Sequence, residues 1–310
     1  MSAAISVDRV SKWFGDTVAL SDVSFSSEPG VTGLLGHNGA GKSTLFDLLA
    51  GFSSPSQGTV RVLGHDPRRE PEVHARLGLV PDGDGLWSFL TARQTVAFLA
   101  RQRRVRDVEG ATAHALSTVG LDAAADRRVA GFSKGMRQRV RLAQALVHDP
   151  EVLLMDEPLN GLDPAQRRAD VDLVRRLGEQ GRTVLVSSHI LAEVERMADR
   201  VLVVVNGRLV AEGTPEGVQQ LLAQSARTVR IETDAPRRLA ALLLQEEAVD
   251  SVALDEDGLV VHTSDGTQLA VQLPQLAAQA SVLLRRVIPL GEDLESVFTR
   301  LTASARGAGR

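Results

Sequence analysis

The sequence predicts an α/β protein in which a larger domain with a mainly parallel sheet and a mostly helical subdomain precedes a small α+β domain. Three observations predict this fold class. Short β-branched runs alternate with helical patterns through the first two thirds of the chain. A glycine-rich loop stands between one predicted strand and the next helix. From Thr228 the pattern changes to a compact mixture of short strands and helices.

Length and composition agree with two folded domains. The chain has 310 residues, of which 43% are apolar and 24% charged, as expected of a globular protein. The net charge is -4 and both signs are interspersed, so the sequence has no basic footprint for nucleic acid. Cysteine is absent, which excludes disulfides, thiolate metal ligands and cysteine nucleophiles.

The sequence also predicts no signal peptide and no membrane helix. The amino terminus lacks a basic segment followed by an apolar stretch and a cleavage site. The longest apolar runs have the length of a strand and fall far short of the ~20 residues that a membrane helix needs. Any role at a membrane therefore requires a partner.

The elements of the larger domain follow from local signals. A strand leads through the glycine loop to a helix from Lys42, and Asn206-Gly207 has the composition of a type I′ hairpin turn. Helical periodicity replaces the strand pattern between about residues 86 and 148. The strands predicted in this domain are Val31–Leu35, Leu77–Val80, Val152–Met155, Thr183–Val186, Val201–Val205 and Arg208–Val210.

The predicted domain boundary lies near residue 225. We assign residues 1–224 to the larger domain, with the helical subdomain at about 86–148, and residues 228–310 to the accessory domain. A last helix is predicted from the i, i+3, i+4, i+7 spacing of four apolar residues, Leu294, Val297, Phe298 and Leu301.

The glycine loop fits the phosphate-binding pattern G-x-x-x-x-G-K-[ST] between a strand and a helix. Its glycines let successive N–H groups point at phosphate oxygens, and the following helix adds the positive end of its dipole. Lys42 is expected to reach the β and γ phosphates of ATP, and the Ser43 hydroxyl to bind Mg²⁺. The predicted cradle comprises Gly36, His37, Asn38, Gly39, Ala40, Gly41, Lys42, Ser43 and Thr44.

An acidic pair follows the strand that ends at Met155. Asp156 is placed to hold Mg²⁺, and Glu157 to accept a proton from the attacking water. Taken alone, such a pair is more often a turn or a helix cap. Its combination with the phosphate loop favours a catalytic site for ATP hydrolysis.

The order of further motifs resembles that of the ABC ATPases from Ser6 to about Gly213. Residues 132–139, Phe-Ser-Lys-Gly-Met-Arg-Gln-Arg, resemble the signature stretch of that family. Residues 160–163, Asn-Gly-Leu-Asp, resemble its D-loop, and His189 after a strand resembles its switch histidine. Phe14 stands where the family has an aromatic ring that stacks on adenine.

The resemblance implies a shared site. Two such domains pair head to tail, so that ATP lies between the glycine loop of one and the signature of the other. It adds His189 to the catalytic residues, and adds Phe14, Ser133, Gly135, Met136 and Asp163 to the residues that contact nucleotide. The second ATPase subunit is expected to be another copy of this chain.

The signature and the loop after the predicted strand Leu77–Val80 depart from the family pattern. Lys134 and Met136 replace a glycine and a glutamine. Asp82 stands where the family mostly has a glutamine that senses Mg²⁺, so we include Asp82 with Ser43 and Asp156 among the metal ligands. The alternative is that Asp82 only forms an acidic turn with Asp84. These departures, and Leu294 to Phe298 near the end, look like the drug-resistance and export branch, whose partners are type-2 permeases.

The resemblance thus implies the ATPase subunit of an exporter, held at the cytoplasmic face of the cell membrane by a separate permease. A drug, a lipid or a polysaccharide is the expected cargo. Two alternatives stay open at this point. One is the motor of an importer, and the other is a soluble ABC ATPase of translation or DNA maintenance, although those commonly carry two cassettes or a long coiled-coil insertion.

Overall fold

The computed structural model describes residues 3–83, 85–224, 228–255 and 258–289. They divide into two compact units, Met1–Pro215 and Glu216–Arg310. The predicted boundary near residue 225 lies about ten residues later, after the helix that begins at Pro215. The last predicted helix, at Leu294 to Leu301, and Asp84 lie outside the described residues.

The first unit alternates strands and helices. Its strands are β1 (Ile5–Phe14), β2 (Thr17–Ser27), β3 (Gly30–Leu35), β4 (Gln57–Val62), β5 (Leu77–Val80), β6 (Val152–Met155), β7 (Thr183–Ser188), β8 (Arg200–Val205) and β9 (Arg208–Gly213). Its helices are α1 (Lys42–Leu49), α2 (Ala92–Gln102), α3 (Val108–Thr118), α4 (Lys134–Leu146), α5 (Pro164–Glu179) and α6 (Leu191–Met197), and α7 (Pro215–Gln224) follows.

The central sheet has the strand order β5-β6-β7-β3-β8-β9 among the described residues. Its strands run parallel except β9, which returns from β8 through Asn206-Gly207. Both turn residues have positive φ, 47° and 75°, as a type I′ turn requires. The parallel strands are almost fully buried, as is usual for parallel sheets, which are covered on both faces. The carboxyl ends of β3, β6 and β7 therefore meet at one edge.

A second sheet of the first unit is antiparallel, with the order β2-β1-β4. We did not predict it, because β1 and β2 contain bulges that break the strict alternation of buried and exposed residues. Its buried face shares one apolar core with α1 and the central sheet. This core fixes β2 beside the glycine loop.

Three helices, α2, α3 and α4, occupy the segment predicted to be helical between residues 86 and 148. Each begins at a side-chain cap: Thr91, Asp107 and Ser133 accept backbone N–H bonds. Arg139 on α4 is 3.0 Å from Asp170 on α5. Burial raises the pKa of Asp170, and the Arg139 charge opposes that rise.

The second unit has the connectivity β-α-β-β-α-β, the ferredoxin-like arrangement. Its described elements are β10 (Thr228–Thr233), α8 (Pro236–Leu243), β11 (Val249–Asp255), β12 (Gly258–Thr263), α9 (Gly266–Ala280) and β13 (Leu284–Pro289). The strand order is β11-β12-β10-β13, with every pair antiparallel. Apolar residues of α8, α9, β10 and β12 form its core.

Candidate active site

The glycine loop connects β3 to α1 and depends on two residues without a Cβ. A Cβ on Gly36 would lie 2.5 Å from the Val204 carbonyl oxygen. Gly41 precedes α1 with φ +103°, a left-handed conformation that favours glycine, and a Cβ there would lie 2.6 Å from the Ala19 carbonyl oxygen. The loop therefore packs against β2 and β8 at a distance that other residues do not allow.

The amino end of α1 opens into a cavity of about 380 Å³. Of the predicted site residues, eight line it together: Asn38, Gly39, Gly41, Lys42, Ser43, Thr44, Asp82 and the catalytic Glu157. Gly36, His37 and Ala40 form the loop behind this wall. Thr17, Val18 and Ala19 of β2 complete the lining, and sequence analysis missed them because β2 itself was not predicted.

Lys42 is held at the centre of this loop. Its side chain is buried, and Nζ donates to the carbonyl oxygens of Gly36 at 2.6 Å and His37 at 3.1 Å. The same ammonium lies 3.0 Å from Oε1 of Glu157. A buried cation requires such partners, and the two carbonyls hold it where a phosphate oxygen can reach it from the cavity.

Glu157 joins three elements of the site. Its other carboxylate oxygen, Oε2, lies 2.9 Å from Nδ1 of His189. Its backbone is left-handed, with φ +47°, and its N–H donates to Ser187 Oγ at 2.7 Å. A non-glycine residue in this conformation is strained, and such strain is commonly found at functional sites. The geometry presents the carboxylate to the cavity between an ammonium and an imidazole.

Ser187 connects the acidic pair to β7. Its hydroxyl donates to Asp156 Oδ1 at 2.6 Å and accepts from the Glu157 N–H. Asp156 is buried directly after β6. The pKa of Asp47 is raised, first by the partial burial of Asp47 itself and then by the negative charge of Asp156. The only sequence signal for Ser187 was its place at the end of a strand before His189.

Oxygen donors are available for a divalent cation at the amino end of α1. Ser43 and Asp82 line the cavity, and the buried Asp156 directly precedes Glu157, which lines it too. Among the described residues, no three His, Cys, Asp or Glu side chains are close enough to bind a metal by themselves. This donor set fits Mg²⁺, which prefers a few protein oxygens together with waters and phosphate oxygens.

The remaining predicted residues lie outside the cavity. Ser133 caps α4, its Oγ accepting from Met136 N–H at 3.2 Å, and Gly135 lies against Gln166. Asp163 caps α5, its Oδ1 accepting from the N–H groups of residues 165 and 166. Lys134 extends over Gly161 between these two helix starts.

Phe14 is exposed at the end of β1, three residues before the cavity lining begins at Thr17. Lys12 Nζ lies 4.7 Å from the centre of its ring. One face of this aromatic ring is thus already covered by a cation. Within the part of the chain that the structure describes, Phe14 does not line the cavity.

Comparison with known proteins gives one consistent result. The family model described as ABC transporter matches residues 20–160. The chain is 35% identical to "Nod factor export ATP-binding protein I" of Paraburkholderia xenovorans, covering 97% of both chains. It is 34% identical to the protein of that name from Rhizobium etli, covering 96% of this chain and 93% of the relative.

Solved structures resemble the larger unit. "Structure of ATP binding subunit of ABC transporter" aligns with 28% identity and a TM-score of 0.63, covering 70% of this chain and 92% of the other. CbiO1 from Clostridium perfringens, part of the ABC transporter complex cbiONQ, aligns with 29% identity and a TM-score of 0.65, covering 71% and 92%.

Proposed function

Since the chain belongs to the ABC transporter family of ATP-binding proteins, we propose that it is the ATP-hydrolysing subunit of an exporter whose membrane pore is a separate permease. The observation that carries the ATPase proposal is the position of Glu157 between Lys42 and His189 at the phosphate cavity. Relatives matched over almost their full length are named as export ATP-binding proteins, which favours export over import or a soluble role.

We assign the predicted site residues the following parts in hydrolysis. Lys42 binds the β and γ phosphates, and the backbone of residues 36–44 surrounds them. Glu157 orients water and accepts its proton, while His189 holds the Glu157 carboxylate at Oε2. Mg²⁺, when bound by Ser43, Asp156 and Asp82, supplies positive charge that stabilises the phosphate oxygens. Phe14 provides the surface on which the adenine stacks.

We assign the signature residues to the second site of a head-to-tail homodimer. Ser133, Gly135, Met136 and Asp163 do not line the cavity of their own chain. The helix start at Ser133 is suited to bind an anion because its dipole is positive there. A second copy of the chain would bring this helix start to the γ-phosphate, so that each chain supplies half of each site.

The segment after β5 is our candidate for the contact with the permease. Pro81 and Asp82 begin it at the cavity, and Trp87 and Phe89 follow with side chains 44% and 68% exposed. The Trp87 ring packs edge-on against Phe98 of α2 at 4.8 Å. Exposed aromatic residues so close together favour an interaction surface for an apolar partner.

No helix among the described residues is long and apolar enough to cross a membrane. Because the relatives are named as export ATP-binding proteins, we propose that a type-2 permease holds the protein at the cytoplasmic face of the membrane. The transported substrate would be a drug, a lipid or a polysaccharide, and no nucleic acid is expected as a partner. We propose that residues 228–310 form an accessory domain that stabilises the dimer.

The test is ATP hydrolysis by the purified chain, followed by purification from membranes with the permease. Magnesium-dependent hydrolysis that Glu157→Gln abolishes is expected, together with a six-helix membrane protein in stoichiometric amount. A parent chain that does not hydrolyse ATP would contradict the ATPase proposal, and hydrolysis that survives Glu157→Gln would contradict the role given to Glu157. Copurification with ribosomes or a periplasmic binding protein would contradict the export proposal.

A further inference from the structure

A network of polar contacts connects the residue before His189 to α6 and α5. It has no part in the site described above. It begins at Ser188, the residue before His189, whose side chain is buried. Ser188 Oγ donates to Oε2 of Glu193 at 2.6 Å and accepts from the N–H of Ile190 at 3.0 Å. The backbone on both sides of His189 is therefore fixed by one hydroxyl group.

Glu193 of α6 extends this network to Arg167 of α5. Its side chain is only 7% exposed, and its second oxygen, Oε1, lies 3.2 Å from Nε of Arg167. A carboxylate buried to this extent is costly unless it is paired, so Arg167 is its required counter-ion. Within the described residues, neither of these two atoms has a hydrogen-bond partner, so the link is an ion pair held by charge.

Arg167 connects the network to the residues directly before α5. Its guanidinium Nη2 donates to the Leu162 carbonyl oxygen at 3.5 Å, and its backbone N–H makes the first helical bond of α5, to the Asp163 carbonyl oxygen at 2.9 Å. Its side chain is 35% exposed beside a cavity of about 220 Å³ that Arg168 and Arg196 also line. Arg167 thus has one end against residues 162–163 and open space beside it.

We propose that Arg167 and Glu193 are positioning residues that act through Ser188 to hold the His189 imidazole against Glu157. The proposal rests on the ATPase function proposed above. A carboxylate of α6 fixes the backbone of His189, and the guanidinium of α5 fixes that carboxylate. The position of His189 thereby depends on residues 162–163, of which Asp163 is assigned to the second site of the proposed dimer.

The first experiment separates turnover from nucleotide binding. Glu193→Gln preserves the size of the side chain but removes the charge that holds Arg167. Because Glu193 does not line the phosphate cavity, KM for ATP should stay within about twofold of the parent, whereas kcat should fall about 10- to 100-fold through misplacement of a reacting group. Arg167→Lys should keep more activity than Arg167→Gln.

The matched control is Glu179→Gln on α5, the helix that carries Arg167. It breaks an exposed ion pair, Arg175–Glu179, whose side chains are 3.1 Å apart and more than half exposed. We expect kcat and KM to stay at the parent values. A fall of kcat in this control as large as in Glu193→Gln would overturn the proposal, because loss of a carboxylate that makes no contact with Ser188 would then suffice.

The second experiment is a double-mutant cycle with His189→Gln, measured by single-turnover hydrolysis of radiolabelled ATP. If Glu193 acts through His189, Glu193→Gln should cause no further loss of rate in the His189→Gln background. An equal fold-loss in both backgrounds would show a general structural effect and overturn the proposal. Should Glu193→Gln fail to fold, Ser188→Ala removes the other end of the same hydrogen bond and completes the cycle.

The parent chain separates the two proposals. If the parent hydrolyses ATP and the cycle is additive, only the positioning role of Arg167 and Glu193 fails. If the parent with Mg²⁺ does not hydrolyse ATP, the proposed function fails and the positioning role fails with it.

Discussion

The Lys42 ammonium and the Glu157 carboxylate lie 3.0 Å apart, both almost completely buried. In this pair the residue expected to bind phosphate is held by the residue expected to activate water. A phosphate group in the cavity would compete with Glu157 for Lys42. The pair therefore connects binding of the nucleotide to release of the general base, and the first two predictions follow from it.

Glu157→Gln should nearly abolish hydrolysis while ATP binding persists. Loss of a general base usually lowers the rate by about 10²- to 10⁴-fold. ATP affinity should be unchanged or tighter, because an amide competes less than a carboxylate for Lys42 and does not repel phosphate. Steady-state hydrolysis and titration with a fluorescent nucleotide measure the two effects. A rate within threefold of the parent would remove Glu157 from this role.

Lys42→Ala should weaken ATP binding by about 10- to 100-fold, since a hydrogen bond to a charged group is worth roughly 1.5–3 kcal/mol. Turnover should fall with it. Arg175→Ala on the exposed face of α5 is a suitable control, because it also removes one positive charge but lies outside the cavity. The same nucleotide titration decides the matter, and unchanged affinity in Lys42→Ala would place the phosphates elsewhere.

Gly41 in the glycine loop and Gly64 outside it allow a comparison of two substitutions with similar backbone strain. Gly41 and Gly64 have φ +103° and +83°, but only Gly41 faces a backbone oxygen, at 2.6 Å from a Cβ. Gly64→Ala should cost about 1–2 kcal/mol of unfolding free energy from strain alone. Gly41→Ala should cost about 2–5 kcal/mol because the clash is added, and it should also reduce ATP affinity.

Denaturant unfolding of both variants, with nucleotide titration alongside, tests this comparison. Equal destabilisation by the two substitutions would mean that β2 does not pack against the loop as closely as the Gly41 geometry indicates. ATP affinity in Gly64→Ala should equal that of the parent, since Gly64 lies outside the phosphate cavity.

The sequence predicted the cavity better than it predicted what surrounds it. The phosphate loop, Asp156 and Glu157 follow parallel strands, and the period and spacing of such strands bring their carboxyl ends to one edge. Ser187 and the β2 residues of the lining carry no local pattern of their own. Ser187 enters the site through the long-range pairing of β7 with β3 and β6, which a single sequence does not specify. The β2 residues enter it because the bulged β1–β2 hairpin packs against the glycine loop at Gly41.

The ferredoxin-like order of the second unit was beyond sequence analysis for a similar reason. The change from Thr228 to a compact mixture of strands and helices predicted an α+β domain, but strand order depends on which edges pair. Here β10 lies between β12 and β13, both distant in sequence. The alternation of buried residues in β10 and β12 defined faces, whereas pairing partners remained undefined.

His148 should make the folded state less stable in acid. Burial lowers the pKa of its imidazole below the ordinary 6.5; the Leu77 carbonyl oxygen, 3.0 Å from Nε2, opposes this only in part. The unfolded chain therefore binds the proton more readily than the folded chain. The unfolding free energy should fall as pH drops through about 6.5, and the loss stops once pH is below the lowered pKa of the folded state.

His148→Gln removes the titrating group and should flatten this part of the pH profile. Unfolding by denaturant at a series of pH values from 8 to 5 gives the comparison. The difference in unfolding free energy between parent and variant should be constant above pH 7.5 and change steadily below it in favour of the variant. Parallel profiles over the whole range would show that His148 titrates alike in both states.

Asp82 supplies the last prediction, because it is a predicted metal ligand that also begins the proposed permease contact. It lines the phosphate cavity with Ser43, and the preceding Pro81 carbonyl oxygen accepts from Arg141 Nη1 of α4 at 3.2 Å. The loop is therefore tied both to the site and to the helix that starts at the signature. Mg²⁺ holds its waters tightly, so a short aspartate is expected to contact it through water.

Asp82→Asn and Asp82→Gln should leave ATP affinity within about twofold and lower permease-stimulated hydrolysis by about fivefold, a loss near 1 kcal/mol. Hydrolysis by the isolated subunit is the control, since it should change less than hydrolysis with the permease present. Equal stimulation of the parent and both variants would leave Asp82 as a turn residue and would end its assignment to the permease contact.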